Sequence, residues 1–172
     1  MQDTAHVTQL TNTSSAIPAE QVAVVEDPIL AEAHRLAGEA GTPFAGGIAP
    51  QHAWRLVQEG RAVLVDVRTA EERKFVGYVP DSLHVAWMTG TSMNRNPRFV
   101  KELEVKLKDK AAVVLFLCRS GKRSAAAAEA ATKADYRSAF NVLEGFEGDL
   151  NEARQRGQAG GWRLHGLPWV QD

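Results

Sequence analysis

The sequence predicts an α/β fold built on a mostly parallel sheet. Two observations carry this expectation. Residues 62–67 (AVLVDV) and 111–117 (AAVVLFL) are nearly unbroken apolar runs, the pattern of strands buried on both faces in a parallel sheet. Around them lie segments with helical spacing, so that strands and helices alternate along the chain.

The elements follow in order. Residues 1–20 are polar and rich in Ser, Thr and Gln, a composition expected to be disordered. Pro28 then opens a short amphipathic helix through Ile29, Leu30, Ala33 and the neighbours of Leu36. Gly38 and Gly41 are placed to end it, and its apolar face is expected to pack against the main domain. Residues 1–45 are accordingly read as an N-terminal extension, and 46–172 as the main domain, opening at Gly46, Gly47 and Ile48. Pro50 starts a helix containing Ala53, Trp54, Leu56 and Val57, and Gly60 closes it. After the strand at 62–67, residues 71–76 read as helix, 77–80 as a turn and 83–87 as a strand. Residues 88–97 form a polar loop that could rim a pocket. Residues 98–108 have helical periodicity through Phe99, Leu103 and Leu107. The strand at 111–117 runs into Cys118. An alanine-rich helix over 123–134, a strand over 140–143 and a last helix over 146–156 complete the domain. No internal repeat is present.

Composition narrows the function. The chain has 172 residues, 44% of them hydrophobic, and a net charge of −1. This is enough apolar content for one soluble core, and the charge gives no sign of a nucleic-acid partner. No run reaches the roughly 18–20 apolar residues of a membrane span, so no membrane partner is expected. The N-terminus lacks the basic patch and apolar run of a secretory signal. The single cysteine excludes an internal disulfide and a multi-cysteine metal site and points to the cytoplasm. His6, His34, His52, His84 and His165 are scattered without metal-ligand spacing, so neither a metal nor another cofactor is expected.

The chemistry concentrates at Cys118. It ends an apolar strand, and ligands in open parallel sheets bind outside the carboxyl ends of strands. The following residues, Arg119 to Ser124, form a short loop that opens a helix. A helix N-terminus presents unpaired N–H groups and partial positive charge, which stabilise an anion. The loop adds the cations Arg119, Lys122 and Arg123. Such surroundings favour a thiolate, so Cys118 is expected to be a nucleophile rather than an inert core residue. Gly121 lets the loop curve so that several N–H groups face one point. Ser120 and Ser124 offer hydroxyl donors, and Ser124 can equally cap the helix. Asp66, following a buried strand, reads as a member of an ion pair tying strand ends together. Arg68 lies near enough to a strand's carboxyl end to contact a substrate. Trp87, Trp162 and Trp169 read as packing residues.

The loop CRSGKRS resembles the active-site loop of the rhodanese-like family. The resemblance extends over about residues 46–170. Asp66-Val67-Arg68 matches the family's DVR signature. Residues 77–82 (GYVPDS) resemble its G-H-I-P-G-A turn, and 141–146 (NVLEGF) with 166–169 (GLPW) its closing motifs. Tyr78, Asp81 and Phe146 depart from the usual His, Gly and Gly, all outside the cysteine loop.

The resemblance implies a central, mostly parallel five-stranded sheet with helices on both faces. It also implies thiosulfate sulfurtransferase activity of the single-domain type. Cys118 would carry a persulfide, cradled by Arg119, Ser120, Gly121, Lys122 and Arg123, with Asp66, Arg68 and Ser124 as supporting residues. The donor would be a small anion, the acceptor cyanide or a thiol, including that of an acceptor protein. Two alternatives remain. One is a persulfide carrier or sensor that docks on partners without turnover. The other is a cysteine phosphatase, which needs Cys-x5-Arg. Here Ser124 occupies the sixth place after Cys118 and Arg123 comes one place early, leaving a tighter loop suited to one sulfur atom.

Overall fold

A computed structural model describes residues 27–172; the disorder expected for 1–20, and His6, lie outside them. The chain runs α1 (Pro28–Ala40), β1 (Gly46–Ile48), α2 (Pro50–Gln58), β2 (Val63–Asp66), α3 (Ala70–Val76), β3 (Leu83–His84), β4 (Met88–Thr89), β5 (Asn94–Arg95), α4 (Phe99–Lys106), β6 (Val114–Leu117), α5 (Lys122–Lys133) and β7 (Ala139–Val142). Five strands form the central sheet in the order β1-β7-β6-β2-β3, every pair parallel. The α/β fold and its five-stranded parallel sheet are therefore as expected.

Alternation along β6 sorts its side chains between two cores. Leu115 and Leu117 pack with Leu30 and Ala33 of α1 and Ala53 and Leu56 of α2. Val114, Phe116 and then Cys118 pack with Phe99 and Leu103 of α4 and Ala127, Ala128 and Ala131 of α5. Helices thus cover both faces, and the period of two sends the Cys118 side chain to the α5 face. The α1 helix lies on β1 so closely that a Cβ on Gly46 would meet the Ala33 carbonyl oxygen at 2.4 Å. Asp27 caps this helix by accepting from the Ile29 amide. Gly41, in the left-handed conformation, ends it, while Gly38 remains inside.

The topology also opens a crevice. From β2 the chain crosses to β3 on one side, and from β6 it crosses to β7 on the other. Beyond the carboxyl ends of these two adjacent strands the connections diverge, which is where parallel sheets place ligands.

Three expectations need correction. The helix foreseen over 146–156 is a series of turns. The carbonyls of Phe146 and Glu147, which a helix would pair with amides four residues on, accept instead from Arg163 and Gly157, and Gly148 and Arg154 take positive φ, so the i to i−4 pattern is not available. Residues 88–97 are more than a loop: β4 and β5 pair antiparallel, Met88 opposite Arg95. The strand foreseen over 83–87 is shorter, because only Leu83 and His84 stay in register with β2. In addition, Gly46–Ile48 is a true edge strand, which its two glycines concealed.

A buried charge cluster fixes the end of β2. Arg68 donates to Asp66 from its backbone N–H and Nε, both at 3.0 Å, and from Nη2 at 2.7 Å. Arg73 adds a bond at 2.9 Å. Arg68 Nη2 also reaches the Gly77 carbonyl. Phe146 lies under the Arg68 guanidinium at 4.0 Å, a cation–π contact that helps cover a buried Nη1 lacking a hydrogen-bond partner. Arg68 and Asp66 are both completely buried, so neither meets solvent. Burial alone would raise the Asp66 carboxyl, but Arg68 and Arg73 outweigh it and hold the group below the usual carboxylate range. Removing one partner of a buried pair costs about 3–5 kcal/mol, so Asp66→Asn is expected to lose about that much in urea unfolding at pH 7. A depressed carboxylate stabilises the fold above its unfolded value and loses that contribution as the pH falls through its folded one. The wild-type unfolding free energy should therefore drop below about pH 4, and Asp66→Asn should flatten that slope.

Candidate active site around Cys118

The site is built from the ends of β2, β6 and β7 and the start of α5. Cys118 follows β6 and is the free thiol of the chain, 1% exposed. Gly121, at φ 91°, is the N-cap of α5, and no side chain caps this helix. Only a residue tolerant of positive φ turns the chain this sharply, and the missing cap leaves the first-turn N–H groups open. The Gly121 N–H donates to Cys118 Sγ at 3.2 Å. The backbone N–H groups of Arg119, Ser120, Lys122 and Arg123 have no intramolecular acceptor among the described residues.

The loop's carbonyls point the other way. Those of Cys118 and Arg119 accept from the amides of Phe146 and Glu147 at 2.8 and 2.9 Å. Gly145 makes this approach possible. At φ 67°, its position is such that a Cβ would lie 2.5 Å from the Ser120 nitrogen and 2.6 Å from the Cys118 oxygen.

The expected site residues divide into groups. Gly121 and Ser124 touch the sulfur directly: Ser124 Oγ lies 3.2 Å from Sγ. Ser124 is fully buried and does not cap the helix. Arg119 and Lys122 are exposed and Ser120 is half-buried. Arg123 turns away from a substrate role, because both its Nη atoms are held by Glu72, at 2.6 and 2.7 Å. Asp66 and Arg68 lie buried behind the loop.

Two residues escaped the sequence reading. Glu72 closes a capping box on α3 with Thr69 while also clamping Arg123, so it ties α3 to α5 across the crevice. Burial would raise its carboxyl, but Arg123 and the Thr69 amide hold it below the ordinary glutamate range. The T-x-x-E spacing was a visible signal for the cap, not for the clamp. Asn141 lies in β7, buried, with Oδ1 2.6 Å from Ser124 Oγ. Its signal was a lone polar residue within an otherwise apolar strand. Beside the site, Trp87 meets Phe99 edge-on at 5.0 Å, and the Arg95 guanidinium lies 3.2 Å from the indole ring centre. Trp162 is buried and donates to the Pro168 carbonyl, whereas Trp169 is partly exposed and meets Phe146 edge-on. No group of three or more metal-ligating side chains occurs among the described residues, and no helix among them is long and apolar enough to cross a membrane.

Residues 49–152, more than half of the chain, match the Rhodanese-like domain family. The chain belongs to that family. This rhodanese-like protein is 45% identical to Rv0390 from M. tuberculosis, whose crystal structure aligns with a TM-score of 0.66 over 75% of this chain and 99% of that one. It is 37% identical over 115 residues to the uncharacterized RP600 homolog of Rickettsia rickettsii, covering 66% of this chain and 87% of the relative. The fold also matches the polysulfide-sulfur transferase homodimer of Wolinella succinogenes at a TM-score of 0.53 and 20% identity, over 80% of this chain and 88% of that one. The rhodanese-like family includes sulfurtransferases.

The Gly145 contact generates a test. Gly145→Ala would drive a methyl group into the loop backbone at a position of positive φ, and is expected to destabilise the fold by about 2–4 kcal/mol. Its melting temperature should fall, and Cys118 should become more accessible to a bulky aromatic disulfide reagent.

Proposed function

We propose that the protein is a sulfurtransferase that moves sulfane sulfur from thiosulfate, or a similar small anion, to cyanide or a thiol through a persulfide on Cys118. The observation that carries this reading is an uncapped helix start beside one sulfur: Gly121 N–H donates to it, and four neighbouring N–H groups of the same loop have no acceptor among the described residues. The spacing from Cys118 to Ser124 supports transfer of a single atom. A phosphatase loop places arginine at the sixth position, and here that position holds Ser124, hydrogen-bonded to the sulfur.

In the first step the Cys118 thiolate attacks the outer sulfur of thiosulfate. The bond from sulfur to Cys118 forms, the bond to sulfite breaks, and sulfite leaves with the electron pair. The persulfide Cys118–S–S⁻ then carries its charge on the outer sulfur, where the amides of Arg119 to Arg123 stabilise it. An acceptor thiolate attacks that outer sulfur, forms the acceptor persulfide and releases the Cys118 thiolate. Dividing the transfer into two displacements is covalent catalysis, and donors aimed at developing charge supply on the order of 3 kcal/mol each. A thiolate needs no base, which suits a sulfur bonded by an amide and a hydroxyl and by no histidine. With Cys118 1% exposed, small donors are favoured over large ones. Arg119 and Lys122 supply the attraction for anions, since Arg123 is neutralised by Glu72. A reducing compartment keeps a lone thiol of this kind free for reaction, which supports a cytoplasmic setting.

Intact mass after incubation with thiosulfate tests the reading. Wild type should gain one sulfur atom, lose it on adding cyanide and release thiocyanate over many cycles, and Cys118→Ser should gain none. An unmodified wild type that hydrolyses a phosphoester would overturn the proposal, and an adduct that never turns over would reassign the protein as a carrier. Arg119→Ala with Lys122→Ala should raise KM for thiosulfate about tenfold at low salt, and added salt should narrow the gap.

A further inference from the structure

We propose that Asn141 is a positioning residue that aims the Ser124 hydroxyl, and that the Asn141–Ser124 pair reverses its hydrogen-bond direction with the charge on Cys118. The inference rests on Cys118 being the reactive group proposed above. Ser124 Oγ lies 3.2 Å from Cys118 Sγ and 2.6 Å from Asn141 Oδ1. A hydroxyl has one proton to donate, so it cannot serve both at once. Ser124 is fully buried and Asn141 nearly so, so bulk water does not readily replace either bond.

With a neutral thiol the chain of donors runs outward. The S–H donates to Ser124 Oγ, and Ser124 donates to Asn141 Oδ1, the arrangement that the 2.6 Å contact fits. Loss of the thiol proton to solvent leaves an acceptor-only sulfur, and the Ser124 proton then belongs on the sulfur. Ser124 Oγ in turn needs a donor, and a half-turn of the Asn141 amide supplies Nδ2–H in place of Oδ1. An asparagine carries both halves of this exchange in one nearly symmetric group. A carboxylate could only accept, and an aliphatic residue could do neither.

The surroundings permit the half-turn. Nδ2 faces Gly121, where even an added Cβ would sit no closer than 3.7 Å. The same asparagine borders a cleft of about 330 Å³ between α1 and the β1–β7 edge, lined also by Ala33, Phe44 and Leu143. The missing side chain of Gly121 therefore leaves space beside Nδ2. The backbone of Asn141 is fixed by pairing on both sides, to Gly47 and to Phe116, so the motion is confined to the side chain. The other charges near the sulfur are already committed or lie outside: Arg123 to Glu72, Asp66 to Arg68 and Arg73, with Arg119 and Lys122 exposed. Gly121 N–H donates to the sulfur in both states. Asn141 and Ser124 are thus the groups that respond.

Two measurements test this. In the wild-type protein, the Asn141 side-chain amide resonance should move with pH at the midpoint of Cys118 ionisation, and the movement should vanish in Cys118→Ser. The second measurement is the pH midpoint of Cys118 alkylation by iodoacetamide, which reads the thiol whether or not sulfur is transferred. Ser124→Ala should raise it by about one pH unit, and Ser124→Thr should restore it. Asn141→Leu should raise it by a smaller amount, and the double variant should match Ser124→Ala alone, because Asn141 acts only through the hydroxyl. A flat Asn141 resonance through the titration would sink the proposal, and so would additive shifts or an unshifted, folded Asn141→Leu. The wild-type resonance answers the question even if a variant fails to fold. Failure of persulfide formation would leave both readouts intact, so the two proposals stand or fall separately.

Discussion

Two backbone hydrogen bonds hold the site in its working shape, from Phe146 N–H to the Cys118 carbonyl and from Glu147 N–H to the Arg119 carbonyl. A peptide plane that points its oxygen outward must point the next N–H inward. By anchoring the Cys118 and Arg119 carbonyls on the segment after β7, the protein turns the N–H groups of Arg119 and Ser120 away from that segment. Several other features serve this arrangement. Gly145 removes the side chain that would keep the two segments apart. Phe146 covers the buried Arg68, and β6, paired on both sides, delivers Cys118 to one defined point.

The arrangement also explains a division of labour among the charges. Asp66, Arg68 and Arg73 form a buried cluster at the end of β2, and Glu72 with Arg123 forms a second at the mouth of the crevice. Glu72 and Arg123 balance each other, whereas Asp66 with Arg68 and Arg73 leaves one net positive charge buried behind the loop. The groups that touch the sulfur are neutral dipoles, an amide and a hydroxyl. Dipoles fixed by a fold can stabilise charge as it forms without reorganising.

Much of this was legible in the sequence. The two apolar runs became β2 and β6, and strand alternation followed directly from their composition. Cys118, Gly121 and Ser124 were legible because strand, cysteine, glycine and helix follow one another without a gap. What escaped depends on contacts between distant segments. The helix foreseen over 146–156 did not form because the carbonyls of Phe146 and Glu147 accept from Arg163 and Gly157 instead of from the next turn, a pairing that no local pattern carries. Arg123 was read as a cation of the cradle because its partner, Glu72, lies 51 residues away. Asn141 meets Ser124 only once β7 is set beside β6.

The clamp between Glu72 and Arg123 has an evolutionary side. Lengthening the loop by one residue while keeping α5 seated would push a different residue into the sixth place after the cysteine. Lengthening it by shifting α5 would carry Arg123 about 1.5 Å along and a quarter-turn around its axis, away from the carboxylate that holds it. The first change would bring Arg123 itself to that place with its guanidinium still held away by Glu72, and the second breaks a bidentate contact between two helices before any new activity exists to compensate. The loop's size is thus guarded by a bond at its rim, and a change of the transferred group would require at least two coordinated substitutions rather than one insertion.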